Sequence, residues 1–477
     1  LHPGLTLTFL IQIGTLCYYW AVSAFGVSVS YEAFVTKNLT ILAFFAKVLV
    51  TLMYFVSFVL LFLVSLKLLE KRRYALIAVV GYATTFNVLL FHNLVNVDPF
   101  VVSYTLLAFL FLWKYSDEVR NGNMFFGGGY IALSATTAVL AFYEKFALCW
   151  PILLLFPFYV LFDNRVRSDG NRIQFKVKLL ASSAFVFIST CLLFLIGTIM
   201  DWQRFVSTYF WGHGLWLVKP ALGTQSSLNY DPRDQVVSNI YAKLSIFIRE
   251  AIEIILQRVE SSFLNWTTWT KVFAMAESIF LGIALVGFFL VWNKLPEKRR
   301  YLAQIGIFIG VVTIVAVYRG GYHYCFFHLA FAALFFAYFS FWLCQRMFGK
   351  YIGDNVQFLI VIVFTLLVHS VSLAGVLGAK MSDLRQYKKW EPYHDALRNI
   401  EYNERVGIVR NRERYAEDEE FLSSVFGRYY KIIPTNSQLS KSFRNYFVFS
   451  DLPFTPAIMQ EYRIKVILGV SNSLPEQ

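Results

Sequence analysis

Charge is what this chain has least of. Only 15% of its residues are Asp, Glu, Lys or Arg, against 57% hydrophobic and 18% aromatic, at a mean hydropathy of +0.54. A water-soluble fold of this length would need far more polar surface. Cysteine is sparse as well. Cys17, Cys149, Cys191, Cys325 and Cys344 each lie in an apolar segment with no CxxC spacing, which excludes a disulfide framework and a zinc–thiolate site. There is no GxxxxGK[ST] loop, GxSxG elbow or HExxH helix, and "FGGGY" (126–130) is a bare glycine run. His323 and His328 are too far apart in sequence to share one helical face as an i, i+4 zinc pair does. Internal repeats and low-complexity tracts are missing. No basic n-region precedes "LHPG", so no cleavable signal peptide is expected here, and without a start methionine further chain is expected upstream.

What is there is a series of apolar runs, from residue 38 to residue 379. A bilayer asks about 20 apolar residues of each spanning helix. Spans are expected over roughly 38–66, 74–92, 99–115, 128–143, 146–162, 178–199, 272–292, 301–318, 325–344 and 357–379. Between them, "KLLEKRR" (67–73), "KYSDEVR" (114–120), 163–178, "NKLPEKRR" (293–300) and "QRMFGK" (345–350) all fall on one side. Basic loops mark the cytoplasm. The formal net charge of +13 is therefore read as topology and anionic-lipid contact, not as a nucleic-acid footprint. The other side receives "HNLVNVD", Glu144–Lys145, the stretch 200–271, "YRGGYHY" and everything after about 380.

The expected fold class is a polytopic α-helical membrane protein with a small C-terminal soluble α/β domain. Residues 1–379 form the transmembrane domain; 5–24 reads either as a further span or, the favoured reading, as part of an interfacial element 1–37 along the outer surface. Residues 380–477 are charged and punctuated by loops, and "RVGIVR", "NYFVFS" and "RIKVILG" read as short strands. They are expected outside the cytoplasm, over the external face. Within 233–262, Ile240, Leu244, Phe247, Ile248, Ile254 and Ile255 recur at helical spacing, which predicts an interfacial helix.

Polar residues collect at the external ends of the spans. "AVLAFYEKFALCWPILLLFPF" (140–160) carries Glu144 and Lys145 between two apolar runs. Each charge would cost about 2.5–3.5 kcal/mol at the centre of a membrane helix, and far less at a turn on the membrane surface. Two readings stand for that turn: a solvated joint, or a site where Lys145 meets a phosphate at headgroup level. "FHNLVNVDPF" (91–100) gathers His92, Asn93, Asn96 and Asp98, with Asp98 before Pro99 in the position of a helix N-cap. "DWQRFVSTYFWGHGLWLVKP" (201–220) holds Arg204, His213 and Lys219 in an aromatic surface segment. "VYRGGYHYCFFH" (317–328) sets Arg319, Tyr322, His323, Tyr324 and His328 at the mouth of two spans. There Arg319 is either a bidentate phosphate donor or a residue snorkelling to the interface.

Taken in order, these segments resemble the GT-C-type membrane glycosyltransferases, the superfamily of protein O-mannosyltransferases and lipid A aminoarabinose transferases. "LHPGLTLTF" resembles the family's "HPPL" segment, "NVDPFVVSYTLLAFLFLW" its fourth span, and "AFYEKFALCWPILLLFPF" its "LTKG…P…P" helix pair. "FVSTYFWGHGLWL" is similar to the start of its large external loop, and "YRGGYHYCFFHLAF" stands where it has an "R..YY..P..P" turn. The resemblance implies an enzyme that moves a sugar from a polyprenyl-phosphate donor to a glycan, lipid or protein acceptor at the extracytoplasmic face of the plasma membrane or its equivalent. Lys145, Arg319 and Tyr322 would bind the lipid phosphate, with Asp98, His92, His213 and His323 on the cavity rim. The family's general-base Asp precedes the "HPP" segment and so falls upstream of Leu1. A divalent metal stays open, with His213 its candidate, although Gly212 and Gly214 stand where aminoarabinose transferases carry acidic residues. Two other classes remain. A transporter or lipid flippase would show broken segments at the midplane and a two-fold repeat. A non-catalytic scaffold would lack the upstream acid.

Overall fold

Long apolar runs with few breakers fold as helices, because in hydrocarbon every backbone N–H and C=O must be satisfied within its own segment. A computed structural model describes residues 5–25, 39–85, 97–162, 171–199, 268–319, 326–349, 351–370, 404–409, 430–431, 447–450 and 454–468, with a few single positions between them. The helices are α1 (Leu5–Ala24), α2 (Leu39–Leu69), α3 (Arg72–Ala83), α4 (Asp98–Arg120), α5 (Met124–Glu144), α6 (Phe146–Leu161), α7 (Asn171–Ile199), α8 (Thr268–Lys294), α9 (Arg299–Arg319), α10 (Phe326–Phe348) and α11 (Asp354–Val368). Five are long and apolar enough to cross a membrane, or six if the bent pair α8–α9 is one span. The chain is thus a polytopic helical protein. Phe44, Leu52, Phe55, Val59 and Leu63 of α2, and Leu180, Phe187, Phe194 and Leu195 of α7, are exposed apolar side chains of the kind lipid covers.

One expectation needs correction. The run 74–92 is not one unbroken helix: α3 stops at Ala83, where Thr84 Oγ1 donates to Val80 O and Thr85 Oγ1 to Tyr82 O, both at 2.8 Å. Hydroxyls that bond preceding carbonyls compete with the helical ladder; Val88 and Leu89 are again helical. The spans expected around 272–292 and 301–318 are helical, as α8 and α9, and the chain turns by 108° between them. α8 packs on α10 while α9 packs on α6.

The core is an aromatic hub. The Phe109 ring of α4 meets Phe156 of α6 at 4.9 Å, Phe308 of α9 at 5.5 Å and Phe331 of α10 at 5.7 Å, each edge-on. On the far side of the bundle α8 crosses α10 at Gly287, where a Cβ would stand 2.1 Å from the Phe335 carbonyl oxygen. Only glycine permits that approach.

Polar contacts give the bundle two distinct ends. Lys67 pairs with Asp117, and Lys298 reaches Glu70 at 2.5 Å and the Lys67 carbonyl at 3.3 Å. The Arg300 guanidinium lies 4.3 Å from the centre of the Tyr301 ring, and Arg73 meets Asp354 at 3.4 Å. The basic loops 67–73, 114–120 and 293–300 therefore sit together with the start of α11. At the other end α2 and α4 begin, α5 meets α6, and α9 meets α10 through Thr313 Oγ1 and His328 Nε2, 2.5 Å apart. α1 makes its contacts at this second end: Thr6 at Glu144, and Gly14 against the Phe45 ring.

In the C-terminal part, β1 (Arg405–Val409), β2 (Tyr430–Lys431), β3 (Phe447–Ser450) and β4 (Ile464–Leu468) form a parallel sheet in the order β2-β3-β1-β4. Three of these are the β-branched clusters read as strands. A short α12 (Pro456–Tyr462) links β3 to β4, opened by Thr455, whose side chain accepts from the Ile458 N–H.

Candidate functional site

The joint between α5 and α6 is one residue long. Lys145 leaves helical geometry at φ −150°, ψ 74°. Its N–H still closes the last turn of α5 on Ala141 O at 3.1 Å, and its carbonyl starts α6 by accepting from Cys149 N–H at 3.2 Å. The backbone of Lys145 is fully used by the two helices it joins. Its side chain crosses to α4, where Nζ lies 2.5 Å from Asp98 Oδ1. Both members are largely shielded, the Lys145 side chain 18% and the Asp98 side chain 9% exposed. Desolvating two charges is costly, so geometry and pairing have to offset it.

The solvated-joint reading of Glu144–Lys145 is therefore corrected. Glu144 is 4% exposed. Its Oε1 accepts from the Thr6 N–H at 2.6 Å, so the carboxylate caps the first turn of α1. A negative group at a helix N-terminus is favoured by both the unpaired N–H groups and the dipole. Glu144 Oε2 has no hydrogen-bond partner among the described residues.

The N-cap reading of Asp98 is corrected too. Val97 is the residue that flanks α4, Asp98 is already helical, and no side chain caps that end. Proline at the start of α4 leaves one donor fewer to cap. Asp98 instead turns inward to Lys145, and rather than lying on an open rim it is buried. Tyr82 of α3 is fully buried nearby, and Cys149 stands one turn below Lys145.

Arg319 is the last residue of α9. Trp113 Nε1 of α4 donates to Gln304 Oε1 of α9 at 2.9 Å, and Phe109 meets Phe308 one turn further on. Tyr159 OH of α6 donates to Gln304 O at 2.8 Å, so α4, α6 and α9 meet at this level, fifteen residues before Arg319. Tyr322, His92, His213 and His323 lie outside the described residues, as does the helix expected within 233–262. Among the described residues no group of three or more His, Cys, Asp or Glu side chains could hold a metal ion.

The role of Glu144 was hidden from sequence reading. The signal was present, a carboxylate in an apolar run, but its partner Thr6 is remote in sequence and bonds through its backbone.

No family model, curated protein or solved structure is similar to this chain.

Proposed function

We propose that the protein is a membrane glycosyltransferase of GT-C type, which moves a sugar from a polyprenyl-phosphate donor to an extracytoplasmic glycan, lipid or protein. The observation that carries the reading is the shielded Lys145–Asp98 pair at one end of an apolar bundle, the end at which α9 finishes with Arg319. A lipid-linked phosphate needs a cation at headgroup depth beside apolar helix surface for its tail. Lys145 supplies the cation, and the exposed faces of α2 and α7 are apolar. In this mechanism Asp98 holds the Lys145 ammonium in place, and Lys145 with Arg319 stabilises the negative charge that gathers on the departing phosphate. A general base takes the acceptor proton. The end bearing the basic loops faces the cytoplasm, and the C-terminal sheet lies over the opposite face, where it helps position the acceptor.

The test is turnover of the full chain in lipid vesicles, with polyprenyl-phosphate sugars as donors. Replacing Lys145 by Ala is expected to lower turnover about 100-fold, the usual size of losing one preorganised charge donor at a transition state. Lys145→Arg, which keeps the charge and the partner, should retain part of it. Wild-type turnover in Lys145→Ala would leave Lys145 only the structural partner of Asp98.

A further inference from the structure

Glu144 is left with a function to find. One of its oxygens is committed to α1, as Oε1 accepts the Thr6 N–H at 2.6 Å. The other, Oε2, is buried and unpartnered among the described residues. Buried polar atoms are nearly always satisfied, because stranding one costs its full desolvation. An ionised carboxylate oxygen can only accept, so a group that satisfies it brings a donor hydrogen. Its neighbour in sequence is Lys145, the cation of the site, which is bound to Asp98 in the resting protein. Among the described residues, the buried Tyr82 OH, Thr105 Oγ1 and Trp150 Nε1, all able to donate, also have no hydrogen-bond partner.

An acceptor beside a cation, with polar groups around it, matches a ligand that has hydroxyls next to an anionic group. That is the headgroup of a sugar phosphate. We propose that Glu144 is a specificity-determining residue, whose Oε2 accepts a hydrogen bond from a hydroxyl of the sugar while Lys145 takes the phosphate that carries it. This rests on the glycosyltransferase reading and adds the part of the ligand that Glu144 contacts. The carboxylate then has two tasks on its two oxygens, to fix the start of α1 and to grip the sugar. The coupling means that α1 is held against the residue that reads the headgroup.

The two tasks separate in one variant. Glu144→Gln keeps an oxygen for the Thr6 N–H and replaces the second acceptor by an NH2 donor, so α1 stays capped while the sugar contact is lost. The full chain in vesicles would be titrated with bare undecaprenyl phosphate and with the same lipid phosphate bearing mannose, glucose, galactose or arabinose. The wild type is expected to bind at least one glycosylated form more tightly than the bare lipid. In Glu144→Gln, affinity for the bare phosphate should hold, while affinity for that glycosylated form falls about tenfold or more, the range of a hydrogen bond to a charged acceptor. Glu144→Ala, which removes the cap too, should in addition lower thermal stability. Equal affinities of Glu144→Gln and wild type for every ligand would make Glu144 a cap alone and overturn the proposal. So would a uniform loss across bare and glycosylated lipids, or a wild type that gains nothing from any sugar. A wild type that binds no lipid phosphate at all would overturn the glycosyltransferase reading itself, which is a different result.

Discussion

At the scale of single residues, the molecule commits charge where its composition allows least of it. Asp98 and Lys145 come from different helices and are shielded together, so their energies cannot be independent. Removing one member of a buried pair costs about 3–5 kcal/mol, because the remaining charge loses its partner while staying desolvated. Asp98→Ala and Lys145→Ala are therefore each expected to lower the midpoint of thermal unfolding in detergent. The double variant should be less destabilised than the sum of the two, by about 1–3 kcal/mol. Strict additivity in that cycle would mean that the pair contributes nothing as a pair. Sequence showed both residues as candidates, with Asp98 read as the cap of its own helix or as a rim residue of the Lys145 cavity, but not as the ion-pair partner of Lys145. A local N-cap rule could not see a lysine lying on another helix.

At the scale of elements, the closest helix crossing makes a sharper test than the site. Gly282 and Gly287 both lie inside α8, yet a Cβ at Gly282 meets nothing within 4 Å while one at Gly287 would stand 2.1 Å from the Phe335 carbonyl oxygen. Gly282→Ala should be neutral or stabilising by up to about 1 kcal/mol, the helix-propensity gain. Gly287→Ala has to push α8 from α10 and should cost about 1–3 kcal/mol, as overpacking does. Thermal unfolding of the two variants side by side decides the point, and equal effects would contradict the crossing. Nothing in the two sequence contexts separates these glycines. Helix positions, by contrast, were legible, since α2, α4, α5, α6, α7, α8, α9 and α10 each cover an apolar run. The strands β1, β3 and β4 were legible for a similar reason, as clusters of β-branched and aromatic residues with turn residues around them.

At the scale of the whole molecule, the two ends of the bundle differ in chemistry. One is knitted by Lys67, Asp117, Glu70, Lys298, Arg73 and Asp354 across three basic loops. The other holds the Glu144–Lys145–Asp98 cluster and the start of α1. α11 runs from the first end towards the second, so the chain that follows it, with the sheet, is expected to emerge there. Single cysteines placed at Asn121, Glu297 and Gln460 in a cysteine-free background should report this to a membrane-impermeant maleimide. The first two are expected to label from the cytoplasmic side and Gln460→Cys only from the other. Labelling of all three from one side would overturn the topology, and with it the shared face of Lys145 and the sheet.

The sequence by itself determined the class of the molecule and the places of its helices. Hydrophobicity over about 20 residues is a local, additive quantity, and a bilayer turns it directly into spanning segments. Loop charge was just as local, and it grouped 67–73, 114–120 and 293–300 before any contact between them was known. Only the tertiary structure decided that Asp98 serves Lys145 instead of its own helix, and that Glu144 holds α1 by a backbone N–H. It alone decided that α3 breaks at Thr84 and that α8 and α9 splay apart. Those outcomes depend on which side chains meet across helices, and a pairing between distant residues leaves no trace in the periodicity of either one.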